Sequence, residues 1–137
     1  STNDIFHEDK GPEDFSKHDW LKIGYHSQDE DRLRYVKESL SSYRHLEVTN
    51  SQPANIEVNP LGVNKANGIK RVCKELDISM KEVMAVGDSL NDIRMIEKAG
   101  IGVAMGNAQA PVKEVADFLT DTNENDGVAK SIEQFVL

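Results

Sequence analysis

Between Asp29 and Tyr43 the apolar residues Leu33, Val36, Leu40 and Tyr43 recur at steps of three and four. That spacing puts them on one face of a helix, and the acids of its first turn suit the positive end of the helix dipole. Ahead of it, residues 20–25 (Trp-Leu-Lys-Ile-Gly-Tyr) read as a short strand. Behind it come two β-like runs, Leu46–Thr49 and 55–59, split by a Ser51-Gln52-Pro53 turn. With the polar, acidic stretch 1–19 taken as a loop, residues 1–59 are predicted to form a piece of a small α+β layer.

After Pro60-Leu61-Gly62 the pattern changes to strict alternation of helix and strand. Helices are predicted at Lys65–Leu76 (Ile69, Val72, Cys73 and Leu76 inward), 91–99 (Ile93 and Ile96), 111–116, and Gly127–Phe135 (Val128, Ile132, Phe135 and Val136). Strands are predicted at 82–86, 101–105 and 117–120. Alternation with such short connections implies an α/β fold, a parallel sheet covered by helices on both faces. Residues 60–137 therefore form a second unit.

Bulk properties narrow the function. With 137 residues the chain is one modest domain or pieces of two. Its net charge is −8 and no basic stripe is visible, which argues against a nucleic-acid binder. A small phosphorylated anion is still possible, because a local lysine or metal can hold one despite a negative total. Mean hydropathy is −0.54. No apolar run is long enough to span a bilayer, and no signal peptide is read. The single cysteine, Cys73, allows no disulfide within the chain and fits a reducing, cytoplasmic compartment. His7, His18, His26 and His45 lack metal-ligand spacing and are expected at the surface or in packing. The chain opens on Ser1, not methionine, which is read as an internal boundary or a processed end.

The chemistry concentrates in Val83-Met84-Ala85-Val86-Gly87-Asp88-Ser89-Leu90-Asn91-Asp92. An apolar strand ends in Gly-Asp, and a helix begins within four residues. Ligands of open parallel sheets bind at the carboxyl ends of the strands, so Asp88 should project into that crevice. Asn91 and Asp92 fall at a helix N-terminus, where backbone N–H groups favour anions. Two acids this close suit a hard cation such as magnesium, which fills its other positions with water and phosphate oxygens. The same two residues would equally serve as a plain helix cap. Lys65 opens the preceding helix, where the dipole disfavours a cation. Holding a phosphate or a carboxylate would explain it, and so would simple solvation.

Lys65 followed by Gly87-Asp88-Ser89-Leu90-Asn91-Asp92 resembles the third and fourth motifs of haloacid dehalogenase (HAD) phosphatases, and more narrowly their Cof-type branch. Ile56-Glu57-Val58-Asn59-Pro60, the run from Gly100 through Ala-Met-Gly-Asn to Ala108, and Asn123-Glu124-Asn125-Asp126-Gly127-Val128-Ala129 extend the likeness over about residues 20–137. The resemblance implies that Asp88 binds Mg²⁺ and that Asp92 ligates or supports it. It implies that Asn91 contacts the phosphate and that Lys65 neutralises the phosphoryl oxygens. Ser89, Asn107 and Asp126 are carried as possible supporting residues. Ala66 departs from the family pattern, where glycine often follows the lysine, and is expected to put a methyl near the phosphate.

The family's nucleophile lies in an Asp-x-Asp-Gly-Thr-like motif, and its aspartate becomes an aspartyl-phosphate while the second acid moves the proton. The one Asp-x-Asp here, Asp29-Glu30-Asp31, has no Gly-Thr after it and opens an amphipathic helix. The motif for a phosphate-holding Ser or Thr is absent too. The chain is thus expected to comprise the later parts of a cap (1–59) and of a Rossmann-like core (60–137), and to be inactive alone. Its exposed sheet edge would be covered by a second copy or by a missing half, unless the chain is a proteolysis or crystallisation product. Two other readings are a non-catalytic metal- or phosphate-binding or interaction module and a dinucleotide-binding domain. For the latter, Gly100-x-Gly102-x-x-x-Gly106 is one residue too long and surrounds a strand.

Overall fold

Two three-stranded sheets, one antiparallel and one parallel, make up residues 21–137, which the computed structural model describes. The expected loop 1–19, Trp20, His7 and His18 lie outside the described residues. In the first sheet β1 (Ile23–His26) and β2 (Leu46–Thr49) flank β3 (Asn55–Pro60). Helix α1 (Glu30–Ser41) joins β1 to β2 and is capped by Asp29, whose carboxylate accepts the Arg32 N–H at 3.0 Å. Leu33, Val36 and Leu40 are half-buried, whereas Tyr43 stays exposed and meets His45 edge-on. His26 and His45 are both exposed.

Pairing of Glu47 with Asn59 and of Thr49 with Glu57 puts these four polar residues on one face of the sheet. Ile56, Val48 and Val58 alternate with them on the other face. Glu47 and Glu57 are nonetheless buried, so the polar face is covered.

In the second sheet β4 (Met84–Gly87), β5 (Ile101–Ala104) and β6 (Phe118–Leu119) run parallel in that order. Around it lie α2 (Lys65–Leu76), α3 (Ile93–Lys98), α4 (Ala110–Val115) and α5 (Gly127–Phe135). Ala85, Ile96, Ala104, Met105, Ala108 and Val112 form its core. Three-residue 3₁₀ turns precede β4, α3 and α5. Residue 82, expected in a strand, lies instead in a capping box, its carboxylate accepting the Ser79 N–H at 2.7 Å. The helix expected at 91–99 starts at Ile93, because Leu90–Asp92 form a 3₁₀ turn.

Two expected inward faces are not buried. On α2, Val72 and Leu76 are 56% and 64% exposed while Ala66 and Cys73 are buried, because this helix packs against α3 and among the described residues nothing covers its outer side. On α5, Val128, Ile132 and Val136 are exposed and Ser131 is buried in their place; β6 is only two residues long and offers little to cover. Phe135 leans on Phe118, their rings 4.6 Å apart. The glycines around β5 are packing positions. A Cβ on Gly100 would lie 1.8 Å from the Lys81 carbonyl oxygen, and one on Gly102 2.5 Å from that of Ile96. The protein's own backbone fills the space a pyrophosphate would need there.

Gly100→Ala is expected to destabilise the fold by roughly 2 kcal/mol or more, since backbone must move. Gly68→Ala, on α2 with nothing within 4 Å of the added methyl, should stabilise it by about 0.5–1 kcal/mol. Urea denaturation of both variants checks the pair.

Candidate active site

Gly87, at the end of β4, decides how the site loop turns. A Cβ there would sit 2.5 Å from that of Asp92, so only glycine lets the Asp92 side chain tuck under the strand end. Asp92 is 3% exposed. Its Oδ2 accepts the N–H groups of Asp88 and Ser89 at 3.0 and 3.1 Å. Its Oδ1 accepts Lys65 Nζ at 2.5 Å. Lys65 reaches it from the first position of α2, where Asn64 caps the helix by accepting the Asn67 N–H at 3.0 Å.

Asp88, by contrast, is exposed. Its side chain's hydrogen-bond partner among the described residues is Asn107 Nδ2, at 3.5 Å, while its carbonyl oxygen accepts the Gln109 N–H. Asn107 Oδ1 accepts the Asn123 N–H at 3.0 Å, and Lys113 Nζ donates to the Gly106 carbonyl oxygen, which steadies that loop. Lys65, Asp88, Asp92, Asn107 and Asn123 thus line one cavity of about 360 Å³ at the carboxyl end of the parallel sheet.

Lys65 and Asp88 therefore share a pocket, but the direct partner of the ammonium is Asp92. Asn91 faces elsewhere. It lines a neighbouring cavity of about 320 Å³ with Lys22, Glu47, Thr49, Glu57 and Asn64, which Lys65 also borders. Its backbone N–H donates to the Asn50 carbonyl oxygen, and its Oδ1 is buried without a donor among the described residues. Ser89 is buried and ties the loop to the β2–β3 turn, its Oγ donating to the Ser51 carbonyl oxygen at 3.0 Å. Asp126 is exposed, in a left-handed conformation (φ 56°), and does not line the cavity; Asn123, three residues earlier, does. The Ala66 methyl is packed inside, 1% exposed.

Sequence reasoning missed Asn123, Glu47 and Glu57. The last two alternate with apolar residues, a pattern that ordinarily marks a solvent face. Burial raises the Glu57 carboxyl's pKa. Hydrogen bonds from Lys22 (2.9 Å) and Ser51 (2.7 Å), the Lys22 charge and Asn91 outweigh it and hold the group below its ordinary value of 4.5.

Among the described residues no group of three His, Cys, Asp or Glu side chains converges on one point. Magnesium needs only one or two carboxylates and takes water and phosphate oxygens for the rest. Asp88 offers an exposed carboxylate with free lone pairs over the cavity. Asp92 has both Oδ2 lone pairs taken and one on Oδ1, which suits it to orient its neighbours. This donor set fits a hard cation held directly by Asp88.

The parallel sheet thus brings an acid, a lysine and a second acid together at its carboxyl edge. Residues 2–132 match the model of the haloacid dehalogenase-like hydrolases, and the chain belongs to that family. It is 56% identical over 126 residues to the 5-amino-6-(5-phospho-D-ribitylamino)uracil phosphatase YcsE of Bacillus subtilis, covering 92% of this chain and 51% of that protein. It superposes on a haloacid dehalogenase-like hydrolase from B. subtilis with a TM-score of 0.82 at 34% identity, covering 92% of this chain and 45% of the other. A HAD subclass IIB sugar phosphatase gives a TM-score of 0.78 at 33% identity, over 90% and 46% of the two chains. The chain spans about half the length of these relatives. The family and the α/β fold are those expected from the motifs.

Asp92→Ala leaves two backbone N–H groups and an ammonium without their acceptor, and should cost about 2–4 kcal/mol in urea unfolding. Because Glu57 titrates lower folded than unfolded, its ionised form stabilises the fold above pH 4.5, and that contribution is lost as pH falls through the lowered value. Glu57→Gln should accordingly lose less stability than the unaltered chain between pH 7 and about pH 3, measured by urea melts at both.

Proposed function

We propose that this chain is the second half of a magnesium-dependent phosphoric monoester hydrolase acting on a small phosphorylated metabolite. The observation that carries the reading is the convergence of Asp88, Lys65 and Asp92 on one cavity at the end of a parallel strand. Asp88 holds Mg²⁺, which when bound supplies positive charge to the phosphoryl oxygens. Lys65, fixed by Asp92, neutralises the same oxygens. Asp92 sets the loop and orients Lys65, with Asn107 orienting Asp88, Ser89 anchoring the loop, and Asp126 starting the helix beside it. Asn91 contacts the phosphorylated molecule from the neighbouring polar cavity. The YcsE and sugar-phosphatase relatives support this substrate class.

The chain contains no Asp-x-Asp-Gly-Thr run, so its nucleophile comes from elsewhere and the chain alone is inactive. Residues 1–59 then act as part of a cap and 60–137 as part of the core. The edge of β4 that is unpaired among the described residues, and the exposed Val72 and Leu76, are places for another chain, a second copy included. The single cysteine and a metabolite substrate point to the cytoplasm. Among the described residues no helix is long and apolar enough to cross a membrane.

Hydrolysis of p-nitrophenyl phosphate with Mg²⁺ tests the reading, on this chain and on a form extended at its N-terminus by the encoded upstream segment. The extended form should be active, lose activity on chelation, and fall at least ~100-fold in Asp88→Asn, more than supporting residues usually contribute. Equal silence of both forms would leave the non-catalytic module as the better account.

A further inference from the structure

Glu47 lies on β2 with its carboxylate buried, 5% exposed, on the polar face of the antiparallel sheet. Carboxylates are rarely buried unless paired. Here one oxygen, Oε1, meets three donors: the Gly62 N–H at 3.3 Å, Asn64 Nδ2 at 3.1 Å and Arg94 Nη1 at 3.1 Å. Gly62 and Asn64 lead directly into Lys65. Arg94 belongs to the first turn of α3, two residues beyond Asp92. The carboxylate therefore grips both segments that deliver the Lys65–Asp92 pair without hydrogen-bonding either member. It also sets the orientation of an amide. Asn64 Nδ2 donates to Glu47 and its Oδ1 accepts the Asn67 N–H, so the end of the amide that caps α2 depends on the acid behind it.

We infer that Glu47 is a positioning residue, a carboxylate clamp that orients the α2 cap and holds the Lys65 segment against the helix that follows Asp92. Its bearing on catalysis rests on the phosphatase reading; its effect on the cap does not.

Amide hydrogen exchange followed by NMR on this chain, with kinetics on the N-terminally extended form, separates the two. Glu47→Ala should speed exchange of the Asn67 amide about fivefold, the effect of losing a cap. Glu47→Gln keeps an acceptor for Asn64 and should stay within about twofold on the same scale. In an Asn64→Ser background, where a hydroxyl caps without an orienting partner, Glu47→Ala should add less than about twofold. In the extended form Glu47→Ala should lower kcat about tenfold, and Glu47→Gln should restore most of it. An unchanged Asn67 rate in Glu47→Ala, or equal acceleration in the Asn64→Ser background, overturns the clamp. So does an unaltered kcat in Glu47→Ala while Asp88→Asn is inactive. Should Glu47→Ala not fold, the Asn64 side-chain amide of the unaltered chain carries the test: slow exchange supports the clamp and free-amide rates overturn it. Hydrolysis insensitive to Asp88→Asn removes the phosphatase reading and leaves the exchange result standing.

Discussion

A buried carboxylate is tolerated only where donors surround it, and Asp92 meets that condition with two backbone amides and one ammonium. Those three donors come from the two segments that flank the site. The amides belong to the loop that leaves β4, and the ammonium belongs to the start of α2. Satisfying one acid therefore fixes the relative placement of the strand end and the helix. In the same loop Asp88 is left exposed. The exposed acid is available for chemistry because its neighbour is committed to structure.

The polar face of the antiparallel sheet also depends on buried charge. Glu47 and Glu57, paired across strands with Asn59 and Thr49, are buried where a solvent-facing row would be expected. Each has acquired partners from outside its own strand: Arg94 and Asn64 for Glu47, Lys22 and Ser51 for Glu57. Buried ion pairs of this kind contribute little net stability but specify one arrangement strongly, since a displaced carboxylate loses every donor at once. Through Arg94, Glu47 thus ties the antiparallel sheet to α3 by a direction-dependent contact.

Much of this was legible from spacing. Lys65–Leu76, Leu46–Thr49 and Gly127–Phe135 are bounded as the apolar periodicity and the capping residues indicate, because local rules dominate there. The strand-Gly-Asp step marked the loop that leaves the carboxyl end of β4, where a parallel strand hands over to the next helix. What spacing could not supply was the pairing. Asp88 and Asp92 are equivalent as letters, and only the close approach at Gly87 distinguishes the one that binds Lys65. Val72 and Leu76 satisfy a helical period yet stay exposed, because periodicity states which residues share a face and not whether anything covers it. Glu47 and Glu57 were invisible for the converse reason.

The turn between β2 and β3 carries a consequence for how such a chain can vary. Rim turns are usually where insertions accumulate, since few atoms depend on them. This one supplies carbonyl oxygens from Asn50 and Ser51 to Asn91 and Ser89, so its length is tied to the loop that presents Asp88. An added residue there would be transmitted straight to the carboxyl edge of the parallel sheet. Divergence among related chains should then be channelled away from this turn and into the outer surface of α1, where no side chain is buried among the described residues.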